Sequence, residues 1–256
     1  MSVKTCLMAL ALCGSLAHAD EPSFLTQAQT PNSLAILPPP PAFNSVAFLA
    51  DQAAFDAGRM LKDTPRWERA KKDAEWSDES IGEPFSDVVG VEISEKNTPI
   101  TYALLKNIRT DSGSLATKTA KQHYNRMRPF VFFNTETCMP EDEHYLRGNG
   151  SYPSGHTTIG WSTALILAEI LPERQNEILK RGYDYGQSRV ICGAHWQSDV
   201  DAGRMMGAAE VARLHADPKF IKMLADAKKE LEKKKSLKPV FLCGDEDFRQ
   251  KAQSKK

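Results

Sequence analysis

From Ser45 onward the apolar residues of this chain recur three and four positions apart, the spacing that gathers them on one face of an α-helix. The pattern predicts helices over 45–60, 64–75, 99–126, 156–170, 174–190, 196–215 and 217–235. Pro, Gly, Asn and Asp stand in the breaks, where helices start and stop. No sustained apolar–polar alternation marks a strand, and no internal repeat is present. The expected fold class is all-α, a single compact helical domain over 45–236. Ahead of it, residues 20–44 carry Leu37-Pro38-Pro39-Pro40-Pro41, which cannot be helical and predicts an extended proline-rich arm laid on the domain or on a neighbouring subunit. The sequence turns lysine-rich from Lys228 and ends in a charged tail, 237–256, which reads as solvated.

Residues 1–19 differ in kind. Lys4, an apolar run from Cys6 to Leu16 and the small-x-small triplet Ala17-His18-Ala19 are the parts of a secretory signal peptide cleaved after Ala19, with a run too short to span a membrane. No later run is long enough for a membrane helix. With 33 basic and 33 acidic side chains the formal charge is zero, so no nucleic-acid partner is expected. Export implies an oxidising compartment. After cleavage Cys138, Cys192 and Cys243 remain, enough for one disulfide and one free thiol, with three pairings open. Because Cys192 lies in a stretch expected to be buried, the pairing favoured here is Cys138–Cys243.

Three segments carry chemistry. In Ser188 to Asp199, Arg189, His195 and Asp199 stand close together. His195 and Asp199 are four apart, so on a helix the carboxylate would hold the imidazole by its Nδ1 proton and leave Nε2 free to act. Arg189 converges on them only if the chain bends in between, and Gly193 supplies that break. In the segment from Lys121 to Pro129, Lys121 and Arg128 are two helical turns apart on one face, a clamp for a multiply charged anion, and Pro129 ends the element. Arg126 and His123 point elsewhere and read as structural or rim residues. In Gly150 to His156, Ser154 is a candidate N-cap. The first N–H groups of the following helix, at Gly155 and His156, would then form an anion site with His156 at its rim as a proton donor.

Lys121-x6-Arg128-Pro129, Pro153-Ser154-Gly155-His156 and Ser188-Arg189-x5-His195-x3-Asp199 together resemble the three-part signature of the type 2 phosphatidic acid phosphatase superfamily. The surroundings, with the arm from Asn32 to Phe43, are similar to its secreted bacterial branch, the class A non-specific acid phosphatases. The resemblance covers about residues 30 to 220. It implies a metal-independent phosphatase without cofactors that works through a phosphohistidine. His195 would be the nucleophile, Asp199 its orienting partner and His156 the acid that protonates the leaving alcohol. Lys121, Arg128, Arg189, Ser154 and the Gly155 backbone would hold the phosphoryl oxygens. The expected substrates are small phosphate monoesters such as nucleotides, sugar phosphates and aryl phosphates, with phosphotransfer to alcohols as a side reaction. A periplasmic homo-oligomer without membrane contact is expected. Two other functions use the same residues: a vanadate-dependent haloperoxidase-like enzyme, with vanadate in place of phosphate, and a periplasmic phosphate-binding protein without turnover, in which both histidines and Asp199 would be superfluous.

Overall fold

A computed structural model describes residues 22–234. The expected signal peptide, the tail 237–256 and Cys243 lie outside the described residues. Twelve α-helices follow in order among the described residues: α1 (Ser33–Ile36), α2 (Val46–Arg59), α3 (Pro65–Lys72), α4 (Glu83–Val89), α5 (Pro99–Ile108), α6 (Lys118–Tyr124), α7 (Pro129–Phe132), α8 (Glu143–Arg147), α9 (Gly155–Ile170), α10 (Gln175–Ile191), α11 (Gln197–Leu214) and α12 (Pro218–Lys234). No strand occurs among these residues, and no helix is long and apolar enough to cross a membrane. The all-α expectation holds.

The central element is α9. Its sequence is apolar or small on nearly every side, and it packs against α10, α11, α5 and α12 at once. Ile166, Leu167 and Ile170 anchor the largest apolar cluster, which gathers side chains from α4, α5, α10, α11 and α12. Burial of this kind, worth roughly 25 cal/mol per Å² of apolar surface, is what holds the layers together. One contact on the seam bears on function. A Cβ at Gly203 of α11 would sit 2.8 Å from the Ser154 carbonyl oxygen, so only glycine lets α11 close on the start of α9.

The predicted helix 99–126 is broken in three. A π-helical turn, Arg109–Leu115, follows α5, and α6 begins only at Lys118. One side-chain bond to backbone competes with the helical ladder here. Thr117 Oγ1 donates to the Gly113 carbonyl at 2.7 Å. Asp111 turns its carboxyl away from the helix to accept the N–H groups of Phe24 and Leu25 at 2.9 and 3.1 Å. Helix α4 escaped the periodicity because it is short and has Pro84 in its first turn.

Asp111 also shows that the arm belongs to the domain. Leu25 joins the main core, Phe24 meets Phe220 of α12 edge to face at 5.5 Å, and Leu37 packs with Ala116, Ala120, Tyr152, Ala202 and Met206. Tyr152 donates its hydroxyl proton to the Pro38 carbonyl at 2.7 Å. The extended stretch thus lies on its own chain.

Cys138 pairs with Cys192, with Cα atoms 4.7 Å apart, and the Cys138 N–H donates to the Cys192 carbonyl at 3.0 Å. The Cys138–Cys243 expectation is therefore corrected. Burial of Cys192 was taken to keep it from pairing, but the loop carrying Cys138 is folded over the end of α10 and buried with it.

Glu210, on α11, is fully buried, and neither carboxyl oxygen has a hydrogen-bond partner in the protein. Burial, reinforced by Asp111, pushes its pKa up to about 8, and burial raises Asp111 to about 6. A carboxyl group with a raised folded-state pKa stabilises the fold fully below its unfolded value, and the contribution is lost as pH rises through the folded one. Glu210→Gln is accordingly expected to raise Tm at pH 8 and to change it little at pH 4 to 5, where wild type is already protonated. Equal Tm shifts at both pH values in thermal melts would refute this.

Candidate active site

Helix α10 ends at Ile191, and Gly193, at φ +79°, turns the chain back in the left-handed region that glycine enters without strain. The Arg189 carbonyl then accepts the N–H groups of both Ala194 and His195, at 3.1 and 3.2 Å. This doubling back is what brings Arg189 and His195 together. His195 precedes α11 rather than riding on it, since the helix starts at Gln197. Asp199 lies in its first turn, and its Oδ2 accepts the Trp196 N–H at 2.9 Å and faces His195 Nδ1 at 3.3 Å. The expected His195–Asp199 pair therefore forms, made by a helix start rather than by two residues on one helix face.

The tautomer follows from the partners. Arg128 Nη1 lies 3.0 Å from His195 Nε2, and a guanidinium can only donate. Nε2 therefore carries the lone pair, and Nδ1 carries the proton that Asp199 holds.

Arg128, Lys121 and Arg189 surround this lone pair. Arg128 is held by backbone carbonyls of Leu146, Asn149 and Ala194 at 2.9–3.0 Å. Lys121 donates to the Gly150 carbonyl at 2.7 Å. Arg189 is fully buried, with Nη1 on the Met139 sulfur at 3.3 Å, while its Nε and Nη2 have no partner in the protein. A buried guanidinium with free donors is costly unless something accepts from them. Burial, and then neighbouring Arg189, lower Arg128 to about 10, and burial lowers Arg189 to about 10. Burial and then Arg128 hold Lys121 well below its usual value. Burial, followed by Arg128, Lys121 and Arg189, keeps His195 well below the ordinary histidine range. Burial and the mutual repulsion of these cations thus disfavour any further positive charge among them.

Ser154 caps α9 as expected, its Oγ accepting from the Thr157 N–H at 3.3 Å. The first N–H groups of the helix, Gly155 and His156, have no carbonyl within the helix to bond. His156 Nε2 likewise has no partner in the protein, and burial, Arg189 and His195 hold its pKa well below the usual value. A cavity of about 1000 Å³ is lined by Lys121, Arg128, Gly155, His156, Arg189 and His195, among others. Six of the eight expected site residues thus share one wall. Asp199 and Ser154 stand behind it. The Ser154 Oγ accepts from the Thr157 N–H and hydroxyl, at 3.3 and 2.9 Å, and so shapes the helix start. Among the described residues no cluster of three or more His, Cys, Asp or Glu is arranged to hold a metal ion.

Two expectations about the first segment are corrected. Lys121 and Arg128 do not share a helix face, because α6 ends at Tyr124 and Asn125 takes a left-handed conformation at φ 38°. Asn tolerates that region better than most residues, and its presence was the available signal. Arg128 then arrives in extended conformation ahead of Pro129. Arg126, read as structural or at the rim, is not at the rim but buried, in contact with Asp199. It donates to Asp199 Oδ1 at 2.6 Å and Asp51 Oδ2 at 2.8 Å. Asp51, on α2, also accepts the Ser198 N–H and hydroxyl at 2.8 and 2.6 Å. The sequence offered no signal for Asp51, which lies 75 positions from its partner Arg126 and 147 from Ser198. Ser188 donates its hydroxyl proton to Asp73 Oδ2 at 2.5 Å and braces α10 against the end of α3.

Residues 103–220 match the PAP2 superfamily. The chain is 51 % identical to a non-specific acid phosphatase of Providencia stuartii, over 83 % of this chain and 86 % of the relative. It is 52 % identical to a non-specific acid phosphatase of Salmonella typhimurium, over 84 % and 86 %. An acid phosphatase of Zymomonas mobilis is 42 % identical over 78 % and 75 %. The chain belongs to the class A non-specific acid phosphatases, a branch of the PAP2 superfamily.

Arg126→Ala would leave two buried carboxylates unpaired and is expected to cost about 3–5 kcal/mol of stability. Arg126→Lys keeps the charge but loses the two-armed fork. It is expected to fold and to lower kcat on p-nitrophenyl phosphate by on the order of a hundredfold, the loss typical of a misplaced catalytic group, with KM changed less. An unchanged kcat in the folded Lys variant would show that Arg126 is only structural.

Proposed function

We propose that this protein is a secreted, periplasmic, metal-independent acid phosphatase that hydrolyses small phosphate monoesters through a phosphohistidine at His195. The observation that carries the reading is the buried Arg189 guanidinium with Nε and Nη2 unpartnered, in a cavity wall shared with Arg128, Lys121 and the lone pair of His195. Three cations and two helix N–H groups offer the charge stabilisation that a transferring phosphoryl group needs above all. The names of the relatives support the same activity. A binding protein would have no use for the Asp199–His195 pair.

In the proposed reaction, Arg128 swings from Nε2 to a phosphoryl oxygen as substrate enters. Nε2 attacks phosphorus, the P–N bond forms and the P–O bond to the leaving group breaks. His156 gives its proton to the departing oxygen. Asp199 holds the positive charge that develops on the His195 ring. Water then attacks phosphorus, giving its proton to His156, and the P–N bond breaks to release phosphate and neutral His195. An alcohol in place of that water would yield a new monoester, and the cavity has room for one. Export to the periplasm rests on residues 1–19.

The lowered pKa values account for the acid range. Burial and the neighbouring cations hold both histidines well below the ordinary histidine range, so His195 stays nucleophilic in acid. The proton His156 must deliver then comes with the substrate, whose monoanion persists up to its second pKa of about 6. Once the phosphate sits between the cations as a dianion, it favours protonated His156. A bell-shaped profile of kcat/KM is expected, with its acid limb below 6.5 and its fall near the second pKa of the substrate. A flat profile or an alkaline optimum would contradict these roles. His195→Ala is expected to abolish turnover and an acid-labile, alkali-stable phosphoenzyme. Activity should persist in EDTA, and strict loss there would remove the metal-independent part.

A further inference from the structure

A volume of about 1000 Å³ is at the upper end of sites that enclose drug-sized ligands, far more than a phosphate group alone would fill. The remainder is available to whatever carries the ester oxygen. Trp76, in the turn after α3, lines this cavity and is 53 % exposed, unusual for so large an apolar side chain at a cavity wall. Its ring centroid is 5.1 Å from that of His156.

The indole is open but fixed. The Arg109 guanidinium lies 5.2 Å over its ring, a cation–π contact, and is itself tied to the Ser77 carbonyl at 2.9 Å and the Asp78 carboxylate at 3.1 Å. Ile159 and Gly113 pack close by: a Cβ on Gly113 would come 3.7 Å from the far edge of the indole. A rigid aromatic surface binds a planar ring at small entropic cost.

We propose that Trp76 is the stacking platform for the leaving group and that the site selects phosphate monoesters of planar aromatic alcohols over those of aliphatic ones. The proposal rests on the phosphatase reading above, and specifically on His156 as the donor to the leaving oxygen. An oxygen within hydrogen-bond reach of His156 has its next atoms beside the indole, where an aryl ring finds a partner and a glycerol chain finds none. Nothing at the phosphate end distinguishes the two substrates, so the discrimination falls to this wall.

The test compares kcat/KM on p-nitrophenyl phosphate and glycerol 2-phosphate for wild type, Trp76→Ala and Trp76→Phe. The intrinsic reactivities of the two leaving groups are the same for all three proteins and cancel in the comparison. The aryl-to-glycerol ratio is expected to fall about tenfold in the Ala variant, in line with the loss of one stacking partner, and to stay near wild type in the Phe variant. Inhibition by phenylphosphonate and methylphosphonate supplies a readout that needs no turnover, with the phenyl preference lost in Trp76→Ala. Unchanged ratios in the Ala variant overturn the proposal. Equal losses on both substrates also overturn it, since they mark a structural role. If wild type hydrolyses neither ester yet shows the phenyl preference and loses it in Trp76→Ala, the platform stands and the phosphatase reading falls.

Discussion

Every part of the site is tied to one carboxylate. Asp199 Oδ2 takes the Trp196 N–H and faces the Nδ1 proton of His195, Oδ1 takes Arg126, and its main-chain carbonyl accepts the Ser154 N–H at 3.0 Å. A single residue thereby joins His195, the start of α11, the Lys121–Arg128 loop and the start of α9. The arrangement explains the glycine at 203, since any side chain there would drive the two helices apart and break that last bond. It also explains the buried Arg126–Asp51 pair. A fully buried Asp199 with only a neutral histidine beside it would be a large electrostatic cost, and Arg126 offsets it without adding to the charge that faces the substrate.

Two unrelated groups of titrating residues favour acid. In the cavity, crowded cations and burial keep both histidines neutral into the range where a phosphate monoester carries its own proton. In the core, Glu210 and Asp111 are neutral there as well and carry no charge that the interior would have to support. Fold stability and the chemistry therefore lean towards the same side of neutrality for different reasons.

The long helices were legible in the sequence because each has one continuous apolar pattern, and the predicted spans 156–170, 174–190 and 196–215 fall within a residue of α9, α10 and α11 at every end. The site residues were legible as a set, because three short motifs each carry a cation or a histidine. How they converge was not. Spacing arguments assume a helix continues, and at both decisive places it stops: Asn125 and Gly193 turn the backbone left-handed. Arg126 was set aside for the same reason, since its position on an imagined helix face had no bearing on where a turn would deliver it. Asp51 and the Cys138–Cys192 pair depend on contacts between distant segments, which no local pattern encodes.

The arm has a consequence for how the molecule is made. Phe24 rests on Phe220, and the Gln29 carbonyl accepts from Arg213 at 3.2 Å, so residues near the start of the described chain take part of their seating from its last two helices. Contacts this distant in sequence carry a loop-closure penalty and form late. The seating of Phe24 on Phe220 and of Gln29 on Arg213 therefore waits until α11 and α12 are in place, however early the N-terminal residues are made.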